Sequence, residues 1–470
     1  MVHLLVSTLL VFLSTAAFGD WQSVQAEQSR KYLLNNIAPP GATSGSVVAS
    51  PSRSQPDYFY YWVRDGALVM NAVATLYAVA TDPAESREYE ELLTKFIRFS
   101  QANQNTPNPS DSLSSGRLGE PKFQANGDAY QGSWGRPQND GPALRAITLT
   151  RVANFWLDAG RRSDVETSLY AAAMPAATVI KRDLEFVAKN WEKTSYDIWE
   201  EISGQHFYTR MVHQRALKEG AALARRMGDT GAADYYEEQL RGPKDPKDNP
   251  HPQKKYLLDL VESHWVASKG LIVPTFDRDG GIDYKHSDID TAVLLAVLHT
   301  QGKDGYFQAS DSRVLSTMEK HIEAFQNLYS LNHKGYGATV LGRYPEDTYN
   351  GYESGKEGNG WFLTTAAVAE LHFRAAREIA SAPFFKTDQW NASFLKNVGA
   401  EPHAVYQGFD KVVLVNKILD RGEAFLARAC FHGLPDGHLS EQINRHTGFM
   451  QGASDLTWSH ASFLTAYWQR

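Results

Sequence analysis

Ile289-Asp-Thr-Ala-Val-Leu-Leu-Ala-Val-Leu298 carries apolar side chains almost all the way round a helical wheel. A helix so patterned has no face to give to water and is covered on every side. The contrasting pattern begins at Asp82-Pro83-Ala-Glu85, an N-cap, a first-turn proline and an acid at the third position. Behind it Tyr89, Leu92, Leu93, Phe96 and Ile97 recur at spacings of three and four, one apolar stripe on an otherwise charged helix. That is the pattern of an outer helix. Similar segments are read near 21–36, 66–80, 142–158, 164–189, 207–228, 256–268, 311–330, 360–380, 407–431 and 453–468, most ending near Gly, Pro or Asn. No segment gives sustained alternation with hairpin turns, which argues against a large sheet. Inner and outer helices in about a dozen segments, with no linker between halves, fit one all-α toroid. Pro243-Lys-Asp-Pro-Lys-Asp-Asn-Pro-His-Pro252 is the best linker candidate, and helical pattern on both sides makes it a surface loop.

The 470 residues are 42% apolar and 21% charged, ordinary for a soluble protein with a full core. Net charge is -7 and no Lys/Arg run stands out, so nucleic acid is not the expected partner. Leu4 to Phe18 is an uncharged apolar run, too short to span a bilayer comfortably, and Ala17-Phe18-Gly19 at its end offers small residues at the two positions a signal peptidase reads. It reads as a signal peptide over 1–19, leaving 20–470 as a single domain of a secreted, extracellular protein. No second run is long enough to anchor the chain in a membrane. Cys430 is the only cysteine, in the apolar setting of a buried thiol, so no intrachain disulfide can form. Asn391-Ala-Ser393 is a candidate glycan acceptor.

Chemistry concentrates between the helices. The run Ser195-Tyr-Asp-Ile-Trp-Glu-Glu-Ile-Ser203 crowds Asp197, Glu200 and Glu201 around Trp199. Neighbouring negative charge and an aromatic flank favour the protonated form of the least solvated carboxyl, which is how a proton donor is kept near neutral pH. Other non-helical runs hold Tyr58-Phe-Tyr-Tyr-Trp62-Val-Arg64-Asp65-Gly66, Gly132-Ser-Trp134-Gly-Arg-Pro-Gln138-Asn-Asp140, Gly342-Arg343-Tyr344-Pro-Glu-Asp347 and Ser440-Glu441-Gln442. Long structured loops in a helical domain are where sites are built. Aromatic faces with Arg, Asp, Gln and Glu suit a sugar, stacking on its C–H face and bonding its hydroxyls. Alone, each run has a plain alternative: Arg64-Asp65-Gly66 is a turn with a local ion pair, and Glu441 an exposed acid. Their occurrence together favours a site. No metal-ligand spacing is present, and no metal or cofactor is expected.

Taken in chain order, these runs strongly resemble the fungal glucoamylases, from about Val48 to the C-terminus, and Asp455-Leu-Thr-Trp458-Ser fits as well. The resemblance implies an (α/α)6 barrel of six inner and six outer helices that releases glucose from non-reducing ends of starch, dextrins and maltooligosaccharides with inversion. It makes Glu200 the general acid and Glu441 the general base. Arg64 and Asp65 match the pair that grips the terminal glucose, and Tyr58, Trp62, Trp134 and Trp199 its aromatic walls. Glu201 and Arg343 match polar ligands near the scissile bond, with Trp361 flanking the next sugar. A monomer without a starch-binding module is expected, active on soluble dextrins and weakly adsorbed to granular starch. The chain departs from the family in lacking disulfides and in a longer connection between Asp347 and Trp361. Two rivals differ in chemistry: a related α-glucosidase preferring α-1,6 or trehalose-like linkages, and an inactive glycan-binding protein. The latter has no need of both Glu200 and Glu441.

Overall fold

The computed structural model describes residues 21–245 and 253–470. The segment read as a signal peptide, and residues 246–252 of the proline-rich stretch, lie outside the described residues. In chain order the helices are α1 (21–35), α2 (Val63–Val79), α3 (Pro83–Asn103), α4 (Asp140–Asp158), α5 (Arg162–Ser168), α6 (Val179–Asn190) and α7 (Phe207–Arg226). They continue as α8 (Thr230–Arg241), α9 (Leu257–Glu262), α10 (Ala292–His299), α11 (Ser312–Gln326), α12 (Phe362–Ser381), α13 (Ala392–Asn397), α14 (Gly408–His432) and α15 (Thr457–Tyr467). Strands are short, and among the described residues no sheet has more than three of them.

The helices form two compact units, Asn36–Gln308 and, with α1, Ala309–Arg470. In the first, α4 packs against α2, α6 and α7. Its fully buried Arg145 makes two hydrogen bonds to Asp183 of α6, at 2.8 and 2.7 Å. α3 begins as its sequence requires: Asp82 accepts from Ala84 N at 2.9 Å, with Pro83 in the first turn. Its buried residues include Tyr89, Leu93, Phe96 and Ile97, the expected stripe. α10 is buried at every position from Ala292 to Leu298, as its all-round apolar pattern demands. In the second unit, α12 packs against α14 and α15 and is buried without a break from Phe362 to Phe373.

The structure corrects four expectations. The helix read over 164–189 is two helices, α5 ending at Ser168 and α6 starting at Val179, with a non-helical stretch between them that holds Pro175 and so cannot be bridged by a continuous helix. The segment read over 256–268 is helical only through Glu262. Trp265–Val266 then pairs antiparallel with Leu271–Ile272, so part of its apolar spacing belonged to a hairpin. α8 was not anticipated, although Asp229 caps it by accepting from Ala232 N at 3.2 Å. Asn391 is fully buried, its Nδ2 donating to Lys386 O at 2.9 Å and Ser312 Oγ at 3.1 Å, so that nitrogen is closed to a glycan in the folded chain. Cys430 is the buried thiol expected of it. Among the described residues no helix is long and apolar enough to cross a membrane.

Candidate active site

In the unit Asn36–Gln308, the site residues hang on the junction between a short strand and α2. Strand Tyr60–Trp62 pairs antiparallel with Lys122–Gln124, setting Trp62 directly opposite Lys122. Tyr60 and Trp62, two apart, share a face of that strand. The Lys122 ammonium lies 3.6 Å from the ring centre of Trp134, 4.2 Å from Tyr60, 4.3 Å from Tyr130 and 4.5 Å from Trp62. The four rings meet edge-on or tilted, at 5.5 to 6.2 Å between centroids, and close a box around the cation. Tyr58 touches this box through Trp62, 5.8 Å away. Burial pushes Lys122 down to about 8, with the Glu200 and Asp57 charges opposing. The ring faces supply part of the stabilisation that water otherwise gives an ammonium.

The chain turns from Trp62 straight into α2, so Arg64 and Asp65 fall in its first turn. Arg64 Nη1 donates to Gln138 Oε1 at 2.9 Å and to Asp140 Oδ2 at 3.1 Å, and Nε lies 3.6 Å from Asp65 Oδ2. Burial works against the Arg64 charge, but the carboxylates of Asp140, Asp65 and Glu200 outweigh it and raise its pKa. Burial pushes Asp65 up to about 6. Arg64 opposes this, while Glu200 and Asp140 add to it.

Glu200 sits in the hairpin joining Ser195–Tyr196 to Ile202–His206. Its φ of +69° is left-handed, a conformation that a non-glycine residue holds only when its surroundings impose it. The imposing group is Asp197, whose Oδ1 accepts the backbone N–H of Glu201 at 2.8 Å and of Ile202 at 3.1 Å. Asp197 also lies 3.7 Å from the buried Lys285 ammonium. Its carboxylate is therefore spent on the turn and on a cation, whereas the sequence suggested a charge crowding Glu200. Glu200 Oε1 accepts from Trp62 Nε1 at 2.8 Å and Gln138 Nε2 at 3.0 Å, and Arg64 Nη2 stands 3.8 Å away. Oε2 has no hydrogen-bond partner among the described residues. Behind the turn, Gly135 lies so close that a Cβ there would come within 2.6 Å of the Glu200 carbonyl oxygen, which ties the Trp134 loop to the hairpin.

Trp199 and Glu201 face another cluster. The Trp199 indole donates to Asp290 Oδ1 at 2.8 Å, and Lys285 bonds Asp290 Oδ2 at 2.5 Å, all three side chains buried. Glu201 adds negative charge near Lys285 and so helps hold it protonated. Trp199 is thus pinned by its nitrogen into the body of the unit.

In the other unit, Glu441 precedes strand Gln442–Ile443, which pairs with both Gly360–Trp361 and Met450–Gln451. Gln442 stands opposite Trp361, and Glu441 N donates to Ala453 O at 2.8 Å. The Arg343 guanidinium is 5.7 Å from the Trp361 ring centre and makes a two-point pair with Asp347, at 2.8 and 2.6 Å. Arg343 and Trp361 therefore come together, and Glu441 adjoins Trp361 along the backbone, through Gln442. The longer connection after Asp347 closes on itself: Gly358 N donates to Asp347 O at 2.8 Å and Lys356 N to Thr348 O at 2.9 Å. Its root is tied to the neighbouring strands, Gln451 Nε2 donating to Asn350 O at 2.6 Å and Asn359 Nδ2 to Gln442 Oε1 at 2.9 Å, and residues 352–357 form an exposed tip.

Lys122, Tyr60, Tyr130, Gln138, Asp140 and Asp290 were not given roles from the sequence, although Tyr60, Gln138 and Asp140 stand in the runs above and Lys122 in the non-helical run 111–123. Strand register places Lys122 and helix packing places Asp290, and neither leaves a local mark. Among the described residues no three or more His, Cys, Asp or Glu side chains are placed to hold a metal ion.

A charged pair at a helix start and an aromatic box thus stand beside a carboxyl held at a hairpin apex, in a mostly helical chain. The chain belongs to glycosyl hydrolases family 15, whose model matches residues 27–468. It is 37% identical to a glucoamylase of Blastobotrys adeninivorans over 461 residues, 94% of this chain and 70% of that one. The family 15 glucoamylase of Hypocrea jecorina superposes with a TM-score of 0.84 at 30% identity, covering 96% of this chain and 72% of that one. A Saccharomycopsis fibuligera glucoamylase gives 0.81 at 29% identity, covering 96% and 95%. The expected fold class, all-α of the (α/α)6 type, is the fold of this family and of this chain.

Proposed function

We propose that this family 15 enzyme is a secreted glucan 1,4-α-glucosidase, releasing glucose from the non-reducing ends of starch, dextrins and maltooligosaccharides with inversion. The relatives named above carry the activity, and the state of Glu200 carries the mechanism. One oxygen of its carboxyl is occupied by the Trp62 and Gln138 donors and the other is open. In its acid form a carboxyl so held carries the proton on the open oxygen and can pass it to a departing glycosidic oxygen. Glu441 takes the proton of a water that attacks the anomeric carbon from the opposite face, so an α-linkage yields β-glucose. Arg64 and Asp65 bind hydroxyls of the terminal glucose, with Trp62 and Trp134 beside them. Trp361 and Arg343 meet the leaving portion. Export rests on the apolar run Leu4–Phe18, and secreted protein should begin at Asp20.

Glu200→Gln and Glu441→Gln should each lower kcat by on the order of 10²-fold or more, with much smaller changes in KM. Proton NMR of the first product should show β-glucose; α-glucose appearing first would overturn inversion. Release from maltose, isomaltose, trehalose and soluble starch separates this activity from its α-1,6 and trehalose-cleaving rivals.

A further inference from the structure

Asp455 is the centre of a cluster that the reaction leaves unused. Its carboxylate lies 2.7 Å from His438 Nδ1 and 3.2 Å from His460 Nε2. On the far side of these rings, His438 Nε2 is 3.0 Å from Tyr32 Oη and His460 Nδ1 is 3.2 Å from Ser29 Oγ, both on α1. Tyr32 and His438 also face each other at 4.3 Å between ring centroids. An ionised carboxylate can only accept, so both histidines turn an N–H toward Asp455. His460 Nδ1 then accepts from the Ser29 hydroxyl, while Tyr32 Oη, beside His438 Nε2, also reaches Asp436 O at 3.3 Å, and the Asp436 carboxylate stands 3.6 Å from that nitrogen. Burial opposes ionisation of Asp455, yet His460 and His438 outweigh it and hold the carboxyl below its ordinary range. The Asp455 backbone is left-handed, with φ of +46°, as at six other non-glycine positions among the described residues.

The cluster bears on Glu441 by a short route. His438 opens the segment that ends in Glu441, and the turn and helix start containing Asp455 grip that segment twice more. Ala453 O accepts the Glu441 N–H at 2.8 Å, and Ser459 Oγ donates to Ser440 O at 2.9 Å. The carboxylate itself rests on the same turn: a Cβ at Gly452 would lie 2.4 Å from Glu441 Oε2. A shift of residues 452–455 is therefore passed directly to the Glu441 carboxylate.

We propose that Asp455, through His438 and His460, is the positioning hub of the general base, fixing where the Glu441 carboxylate points. The hub rests on the reading of Glu441 as base. It touches no substrate and acts only through Glu441. Its loss should leave binding intact and slow the chemical step, because a base misplaced by a fraction of an ångström loses rate steeply, about 10²-fold for a full 1 Å.

The test compares Asp455→Asn, His438→Phe, His438→Asn and Glu441→Gln on maltose, with melting temperatures. Asparagine at 455 offers one of the imidazole N–H groups another donor. Phenylalanine at 438 keeps the ring beside Tyr32 and removes the N–H, and asparagine at 438 restores a donor near the Nδ1 position. Asp455→Asn and His438→Phe should lose about tenfold in kcat with KM within about twofold, and His438→Asn should recover most of the loss. Should Asp455→Asn fail to fold, the two His438 variants decide. The hub is overturned if His438→Phe keeps wild-type kcat while Glu441→Gln abolishes turnover. It is equally overturned if His438→Asn is as slow as His438→Phe, because ring packing then matters and the N–H does not. Wild-type turnover in Glu441→Gln would instead remove the base assignment, and the hub with it.

Discussion

Asp65→Asn should make the protein more stable and the enzyme worse, and the first effect should depend on pH. Asp65 is buried beside Arg64, with Glu200 and Asp140 adding negative charge, and its carboxyl is pushed up from 3.8 to about 6. A group whose folded pKa is raised contributes stability that is fully present below its unfolded value and is lost as pH rises through the folded one. The window is therefore from about pH 4 to pH 6. A rise of two units at about 1.4 kcal/mol each makes the ionised side chain a burden of on the order of 3 kcal/mol at neutral pH. Asparagine stays neutral and removes that burden, and Arg64 keeps its bonds to Asp140 and Gln138. Denaturant unfolding at about pH 4 and pH 7 should show the variant close to wild type at the lower pH and more stable at the higher. The same substitution should cut kcat/KM, since an ionised carboxylate accepts two hydroxyl donors where an amide offers one acceptor. A stability difference equal at both pH values, or a variant less stable at pH 7, would refute the reasoning.

Lys122→Met should empty the aromatic box of its charge and let Trp62 and Trp134 shift, lowering kcat/KM about tenfold and altering indole fluorescence; unchanged kinetics and emission would show the cation to be idle. Asp290→Ala should leave the buried Lys285 charge without its nearest partner, destabilising the fold by about 3–5 kcal/mol, and Lys285→Met added to it should restore part of the loss. Equal stability of the single and double variants would count against an uncompensated charge.

Local patterns in the chain were readable where a local rule decides the outcome. The Asp82 cap, the stripe of α3 and the fully covered α10 follow from periodicity and capping alone. Trp62, Arg64 and Asp65 are adjacent in sequence and remain neighbours because strand runs into helix without a loop. The contacts that orient them were not readable. Lys122 reaches the box through a strand register 60 residues away from Trp62, and Asp290 meets Trp199 across 91 residues. Asp197 was legible as an acid near Glu200, but not its direction, because in a tight hairpin the backbone N–H groups draw the carboxylate inward. Pro175 was visible in the sequence, and the apolar periodicity on both sides of it hid the ten-residue break, 169–178, in which it lies.

The hydrogen bond from Gly358 to the Asp347 carbonyl makes chain length a nearly free variable at one place in this enzyme. Once the neck of a loop is pinned, the entropy of closing it grows only with the logarithm of its length, about 0.6 kcal/mol for each doubling. Residues can be gained or lost within the exposed tip, at 352–356, while Tyr349 and Asn350, bonded to Gln442 and Gln451, keep their places with Arg343, Asp347 and Trp361. Insertion libraries confined to that span should return folded, active enzymes at far higher frequency than insertions at the Glu200 hairpin, where Asp197 counts the residues one by one.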